Sequence, residues 1–249
     1  MEIKIDKVDG YELSSFIKKL LPIDKFIFIK IGKNRTVSSV YFPERDAVKL
    51  VTVNSKDVFD AQVDSPIKVI FYNGHKVIDA LSHFNGDIEG SIKYNEYEGE
   101  LMASDLILKN EDLEITISCA DPSLSFMEMS KDEMSRAFAP DGKLFEFDLL
   151  TTHVDRMKSL FNLDKDEEVF TLSTSDKGVN VNGLSFNTTI THTFESDIPK
   201  SEVVIYKKYL NLLDKENYKV IVCENKVVFK SLDTDTHLTI AVAITDEEQ

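Results

Sequence analysis

The sequence predicts an α+β protein made of two similar β-rich half-domains, each carrying two short helices on one face of a curved antiparallel sheet. Three observations predict it. Apolar residues mostly alternate with polar ones, helical periodicity is confined to four short stretches, and strands and helices follow in the same order twice.

The strands dominate. Met1-Glu2-Ile3-Lys4-Ile5-Asp6 alternates apolar and charged residues, which fits a strand and not the apolar run of a signal peptide. Phe26–Ile31, Val37–Val53, Lys68–Phe71, Leu113–Ile117, Val169–Leu172, Val220–Val222 and Leu238–Val242 are rich in Val, Ile, Phe and Thr and bounded by Gly, Asn, Asp or Pro. The helical stretches are 11–21, capped by Asp9, with Leu13, Phe16, Ile17 and Leu20 on one stripe; 74–85, capped by Asn73, with Val77, Leu81 and Phe84 inward; a helix opened by Thr151 or Thr152, with Val154, Met157, Leu160 and Phe161 inward; and 206–216, burying Tyr206, Leu210 and Leu213 before Asn217.

Taken in order, residues 1–119 and 143–249 read alike. Corresponding helices are offset by 141 (11 to 152) and 133 (74 to 207), so the topology repeats without residue-level identity. Between them, 120–142 has no sustained period, holds three of the six Met and ends in a Pro-Asp-Gly turn, which marks a connector. The predicted organisation is an N-terminal domain over 1–119, a connector over 120–142 and a C-terminal domain over 143–249.

Composition excludes several classes. At 249 residues, 42% hydrophobic and 29% charged, the chain is an ordinary globular protein, and no run approaches the ~18 apolar residues of a membrane span. Cys119 and Cys223 lie inside strand-like runs and read as buried reduced thiols; with two sequons at chance level and no export signal, the expected compartment is the cytoplasm. There is no phosphate-binding Gly-rich loop, no Gly-x-Ser-x-Gly elbow and no His-Glu-x-x-His pair. The runs Asp164-Lys-Asp166-Glu-Glu168 and Asp233-Thr-Asp235-Thr-His237 lack the Gly and distal Glu of a calcium loop and read as solvated turns. The expectation is a non-enzymatic protein with no cofactor and no metal.

The chain carries a net charge of −15, which repels DNA unless positive charge is segregated. The four helices hold eight basic residues (Lys18, Lys19, Lys76, Arg156, Lys158, Lys207, Lys208, Lys215) against five acidic ones, a net of +3, which leaves −18 for the rest. On a helix, Lys208, Asn211 and Lys215 at i, i+3 and i+7 share the face away from Leu210 and Leu213. Lysine decorates many exposed helix faces, so the excess alone does not decide. The repeat adds weight: two halves side by side line one surface with all four helices, able to attract phosphates without reading bases.

With these features the sequence resembles a DNA polymerase sliding clamp, a family that includes the cellular proliferating cell nuclear antigens and the clamps of T-even-like phages. The resemblance spans the whole chain. Its most suggestive stretches are Ser118-Cys-Ala-Asp-Pro-Ser-Leu124, closer to the phage clamps, and Tyr218-Lys-Val-Ile-Val-Cys-Glu-Asn-Lys-Val-Val-Phe229. The basic charge is sparser than in many cellular clamps, and the end, Thr245-Asp-Glu-Glu-Gln249, is short.

The resemblance implies a homotrimeric ring with helices inside, encircling double-stranded DNA without sequence preference and tethering a replicative DNA polymerase after placement by a clamp loader. The eight basic residues above would face DNA. Edge strands of neighbouring subunits would pair to close the ring, Leu113, Ile115 and Ile117 of one meeting Phe186, Thr188 and Ile190 of the next, although both runs also suit internal strands. Partners of such clamps insert a short hydrophobic motif beneath the connector, where Leu124, Phe126, Met127, Met129 and Phe138 either receive it or pin the connector to the sheet. The competing expectation is a β-rich viral scaffold or interaction protein that does not encircle DNA.

Overall fold

The computed structural model describes residues 1–42, 44–61, 63–121, 123–124, 128–162, 168–194 and 200–243. The chain divides into two units, Met1–Pro43 with Lys49–Ser130, and Glu44–Val48 with Lys131–Gln249. Residues 120–130 of the expected connector thus belong to the first unit and those from Lys131 onward to the second.

The first unit contains β1 (Glu2–Val8), α1 (Gly10–Leu20), β2 (Ile27–Ile31), β3 (Arg35–Tyr41), β4 (Ala47–Asn54), α2 (Ser55–Val58), β5 (Phe59–Ala61), β6 (Ile67–Phe71), α3 (Gly74–Ser82), β7 (Ile88–Tyr97), β8 (Glu100–Lys109) and β9 (Glu114–Ser118). Only the first two residues of β4 are counted with the second unit. The strand order is β4-β3-β2-β6-β8-β7-β1-β5, with β9 beside β8. β2 pairs antiparallel with β3 and β6, β7 with β1 and β8, and β8 with β9. β6 and β8 are parallel, joined where Ile67 lies beside Leu101 and Lys68 beside Met102.

Local chemistry explains the helices. The Asp9 carboxylate accepts from the amides of Tyr11 and Glu12, satisfying two donors that the first turn of α1 leaves over, and Asn73 caps α3 through His75 N. Leu13, Phe16, Ile17 and Leu20 are buried at helical spacing, and α1 packs against α3. The approach is tight because Gly74 opens α3: a Cβ there would stand 2.8 Å from Ile27 and 3.0 Å from Ile17 and Leu21. The single strand-like run expected over 37–53 is two strands, and Arg45 in the intervening turn has φ 60°.

The second unit contains α4 (Lys131–Phe138), β10 (Lys143–Leu149), α5 (Thr151–Phe161), β11 (Val169–Ser175), β12 (Gly178–Asn182), β13 (Asn187–Thr191), β14 (Glu202–Tyr206), a 3-10 helix η1 (Lys207–Leu212), β15 (Tyr218–Cys223), β16 (Lys226–Ser231) and β17 (Asp235–Ala241). Its sheets run β10-β15-β16-β17 and β13-β12-β11-β14. Glu44–Val48 lies in this unit, where Ala241 N donates to Asp46 O at 2.7 Å. Phe161 on α5 packs between Phe170 and Phe186, both at 4.7 Å between ring centroids. Thr151, which opens α5, donates from its amide and its hydroxyl to Asn217 Oδ1 at 3.0 and 3.2 Å, a cap supplied from 66 residues away.

The pairing pattern repeats. The set β1-β7-β8-β9 corresponds to β10-β15-β16-β17, and β6-β2-β3-β4 corresponds to β14-β11-β12-β13. The helix pair α1 and α3 corresponds to α5 and η1. The β6–β8 bridge and the α2–β5 excursion belong to the first unit alone among the described residues.

Two expectations need correction. The helix expected over 206–216 is the shorter 3-10 helix η1. Tyr209, Leu210, Leu212 and Leu213 are buried while Lys208 and Asn211 are exposed, a burial repeat of three that a three-residue turn stacks on one side. Tyr206 and Leu160, expected inward, are half-buried. The second correction lies in the connector, where α4 escapes sequence reading because it spans two turns and buries no residue fully. Its signal is one apolar pair four apart, Met134 and Phe138, with Asp132 and Glu133 in the first turn.

Gly178 has φ +133°, and a Cβ there would lie 2.2 Å from Ile190 O. Gly178→Ala is expected to lower stability by about 2 kcal/mol or more, through strain and loss of the β12–β13 contact. Asp9→Ala, which removes only a cap, is expected to cost about 1 kcal/mol. Urea unfolding of the two variants checks both values and their order.

Candidate nucleic-acid interface and connector face

In the first unit the predicted DNA-facing residues sit on α1 and α3. Lys18 and Lys76 are exposed and Lys19 is half-buried, all away from the stripe that α1 and α3 bury. Lys18 and Lys19 occupy the last turn of α1, where unsatisfied carbonyls favour positive charge.

In the second unit three of them, Lys158, Lys207 and Lys208, line a cleft of about 490 Å³ together with Phe161, Tyr206 and Asn211. Arg156 is exposed on α5. Lys158 Nζ donates to Leu213 O at 2.7 Å, tying α5 to the end of η1. Burial pushes its pKa down, against the pull of Asp214 and Asp155. Lys208 Nζ is 3.6 Å from both Glu44 and Asp46, and lies 4.9 Å from the Tyr209 ring centre and 5.6 Å from that of Tyr206. Lys215 lies beyond η1, 3.7 Å from Asp155 Oδ1. Lys208 and Asn211 do share an exposed face, whereas Lys215 is not on that helix. Thus Lys208 and Lys215 have acidic neighbours and Lys158 is spent on a carbonyl, while Lys18, Lys76 and Arg156 project from well-formed helices.

The connector residues divide between the units. In the first, Ala120 N donates to Ile70 O at 2.7 Å, and Leu124 packs on the buried cluster of Phe28, Ile70, Met102 and Ala120. Asp121 accepts from Ser123 N at 2.8 Å, a bond that holds its carboxyl below the usual range. Met129 is buried, and Phe126 and Met127 lie outside the described residues. In the second unit Phe138 packs on Ile221, Cys223 and Val228, with its ring centre 5.8 Å from that of His237. Lys226 and Thr239 donate to the carbonyls of Arg136 and Ala137 at 2.5 and 3.0 Å, fixing the end of α4.

Sequence reading passed over an ion cluster under the connector. Glu128 is bonded to Lys30, at 2.8 Å, and to Lys68, which also reaches Glu100. The available signal was a lysine inside each of two apolar runs, Phe28-Ile-Lys30-Ile31 and Ile67-Lys68-Val-Ile-Phe71. Of the two acidic runs, the one over 233–237 makes local bonds: Asp233 accepts from Asn217 N at 2.7 Å and Asp235 pairs with His237 at 3.1 Å; residues 164–167 of the other lie outside the described residues.

Of the residues expected at a subunit interface, Ile115 and Ile117 are half-buried on β9, with Leu113 half-buried just before it. Thr188 and Ile190 on β13 are buried, and Phe186 packs edge-on against Phe161. Among the described residues β9 pairs with β8 alone and β13 with β12 alone, so each is the edge of its sheet.

Burial raises the pKa of Glu128, but the hydrogen bonds from Lys30 and Lys68 outweigh it and hold the carboxyl below its ordinary 4.5. Burial lowers that of Lys68, and its bonds to Glu100 and Glu128 carry it above 10.5. The Glu128 contribution is therefore present above pH 4.5 and lost as pH falls through the depressed folded value; that of Lys68 is present below pH 10.5 and lost as pH rises through the raised one. Glu128→Gln is expected to cost about 1–2 kcal/mol at neutral pH, a gap from the parent protein that closes in acid. Urea unfolding at neutral pH and below the carboxylate range checks this.

No protein-family model matches the chain, and no curated protein matches it in sequence. Solved structures do match over nearly its whole length. A PCNA2–PCNA3 complex from Sulfolobus tokodaii aligns at 14% identity and TM-score 0.65, covering 97% of this chain and 99% of that one. The A. fulgidus PCNA bound to the C-terminal region of FEN-1 aligns at 15% and 0.64, covering 98% and 100%. PCNA from Thermococcus kodakaraensis aligns at 12% and 0.63, covering 97% and 98%. The architecture expected from the repeated strand and helix order is therefore found: the fold of this chain is that of the PCNA sliding clamps.

Proposed function

We propose that the protein is a sliding clamp whose three copies close a ring around duplex DNA and tether a replicative DNA polymerase for processive synthesis. The observation that carries this reading is the repeat: two units with the same strand pairing, each exposing basic side chains from its helices, in a fold matched end to end by PCNA.

Ring closure follows from equivalence between the units. In the second unit β17 has a neighbour, the segment Glu44–Val48, whose last two residues open β4. The counterpart of β17 in the first unit is β9, and the counterpart of β4 in the second is β13, both edges. Pairing β9 of one copy with β13 of the next repeats the same neighbour relation, satisfies both rows of main-chain groups and is head-to-tail, so it closes when the rotation does.

Function is then topological and needs no catalytic residue. Lys18, Lys76 and Arg156 attract the phosphate backbone, while the neighbours of Lys208 and Lys215 temper the field so that the ring is not braked. The net charge of −15 keeps the rest of the surface from binding nucleic acid. As the A. fulgidus PCNA binds the C-terminal region of FEN-1, this chain would receive short segments of its partners at the connector, and a clamp loader would open the ring.

Light scattering over a concentration series is expected to show a mass near three times 28.3 kDa, about 85 kDa, or a monomer–trimer equilibrium. A strict monomer, or a stable dimer as a scaffold would give, overturns the ring. Replacing Lys18, Lys76 and Arg156 together by Gln is expected to reduce the salt slope of duplex association by about 2 to 3, and Lys208→Gln by less than any one of them. Binding titrations across a salt series read both slopes.

A further inference from the structure

Two cross-strand pairs stand side by side on the sheet face beneath the connector. Phe28 lies opposite Ile70 in the β2–β6 register, and two residues on Lys30 lies opposite Lys68. Residues two apart on a strand share a face, so an apolar pair and a dicationic pair are adjacent. Met102, beside Lys68 on β8, extends the apolar part. Like charges directly opposed across strands repel, and the Lys68 side chain is only 7% exposed, so this face demands a carboxylate. Glu100 from β8 serves Lys68 from the rim. The carboxylate that bridges both lysines is Glu128, and it comes from the connector.

Besides Ala120 within the apolar cluster, the described connector residues place Leu124 and Glu128 on this face. Leu124 lies on the apolar pair and Glu128 on the cationic pair. A segment held in this way can be replaced by another chain that repeats the same two contacts, because the exchange leaves neither a bare ammonium nor bare apolar surface.

We propose that Lys30 and Lys68 form an exchangeable carboxylate seat, latched by Glu128 in the free protein, and that the partner it fits is a peptide carrying a carboxylate close to a large apolar side chain. The inference rests on the clamp reading for the existence of such a partner and adds to it the charge that the partner supplies and the latch that it displaces. An apolar peptide without the acid leaves Lys30 unpaired and Lys68 with Glu100 alone, and is disfavoured.

The connector supplies its own probe. A synthetic peptide of residues 120–130, with Glu at 128, is titrated against the full-length protein and its Glu128→Gln variant, beside the same peptide carrying Gln. The expected result is that the Glu peptide binds the E128Q protein at least about ten-fold more tightly than the parent, and about ten-fold more tightly than the Gln peptide does. Lys30→Gln introduced into the E128Q protein, at a partly exposed position that leaves the Lys68–Glu100 pair in place, is expected to erase the preference for Glu. Equal binding of the two peptides, equal binding to latched and unlatched protein, or no binding of the Glu peptide at about 1 mM overturns the proposal. Any of these with a trimer by light scattering sinks the latch and leaves the clamp standing; a monomer with Glu-selective binding does the reverse.

Discussion

A β-strand carries main-chain donors and acceptors along both edges, and most of this structure follows from where those edges find partners. Within each unit the strands pair in the same two sets, and the inner edges are satisfied by their neighbours. Among the described residues β5, β9, β10, β13 and β14 have one strand neighbour each, and two of these edges, β9 and β13, are the ones the proposed ring pairs. They are not equivalent leftovers: one is the counterpart of β17 and the other of β4. An assembly in which they meet satisfies both rows of main-chain groups, and the proposed ring is such an assembly.

Charge is arranged around the same frame. The sheets bury Val, Ile and Phe on their inner faces, and the exposed faces of the helices hold cations without desolvation. Their basic residues are graded by surroundings. Lys158 spends its ammonium on Leu213 O, Lys208 lies between two carboxylates and two tyrosines, and Lys18, Lys76 and Arg156 project from helix surfaces. A graded surface of this kind suits attraction without arrest, since the mobile part of the binding free energy comes from released counterions and not from fixed contacts.

The connector shows the reverse economy, with polar groups used to hold down a short chain. Asp121 ties its first turn, Glu128 bridges two lysines, and Lys226 with Thr239 secures the end of α4, which buries no residue of its own. Such contacts exchange more readily than a packed core because water or another chain can replace them one at a time.

Periodicity determined much of this from the sequence alone. The stripe Leu13, Phe16, Ile17, Leu20 and the caps Asp9 and Asn73 are local features, and α1 and α3 lie where those features put them. The alternating runs and the doubled element order were likewise legible, because a sheet face imposes its period on every strand that it buries. Tertiary structure decided the rest. Whether Tyr209-Leu210 and Leu212-Leu213 wind at three or at 3.6 residues per turn depends on the wall they pack against, and Met134 with Phe138 makes a helix only where Ile221, Cys223 and Val228 receive it. The cap of α5 by Asn217 and the meeting of Lys30, Lys68 and Glu128 join residues 66 and up to 98 positions apart. No local pattern encodes such contacts, because strand register and not chain distance brings those side chains together.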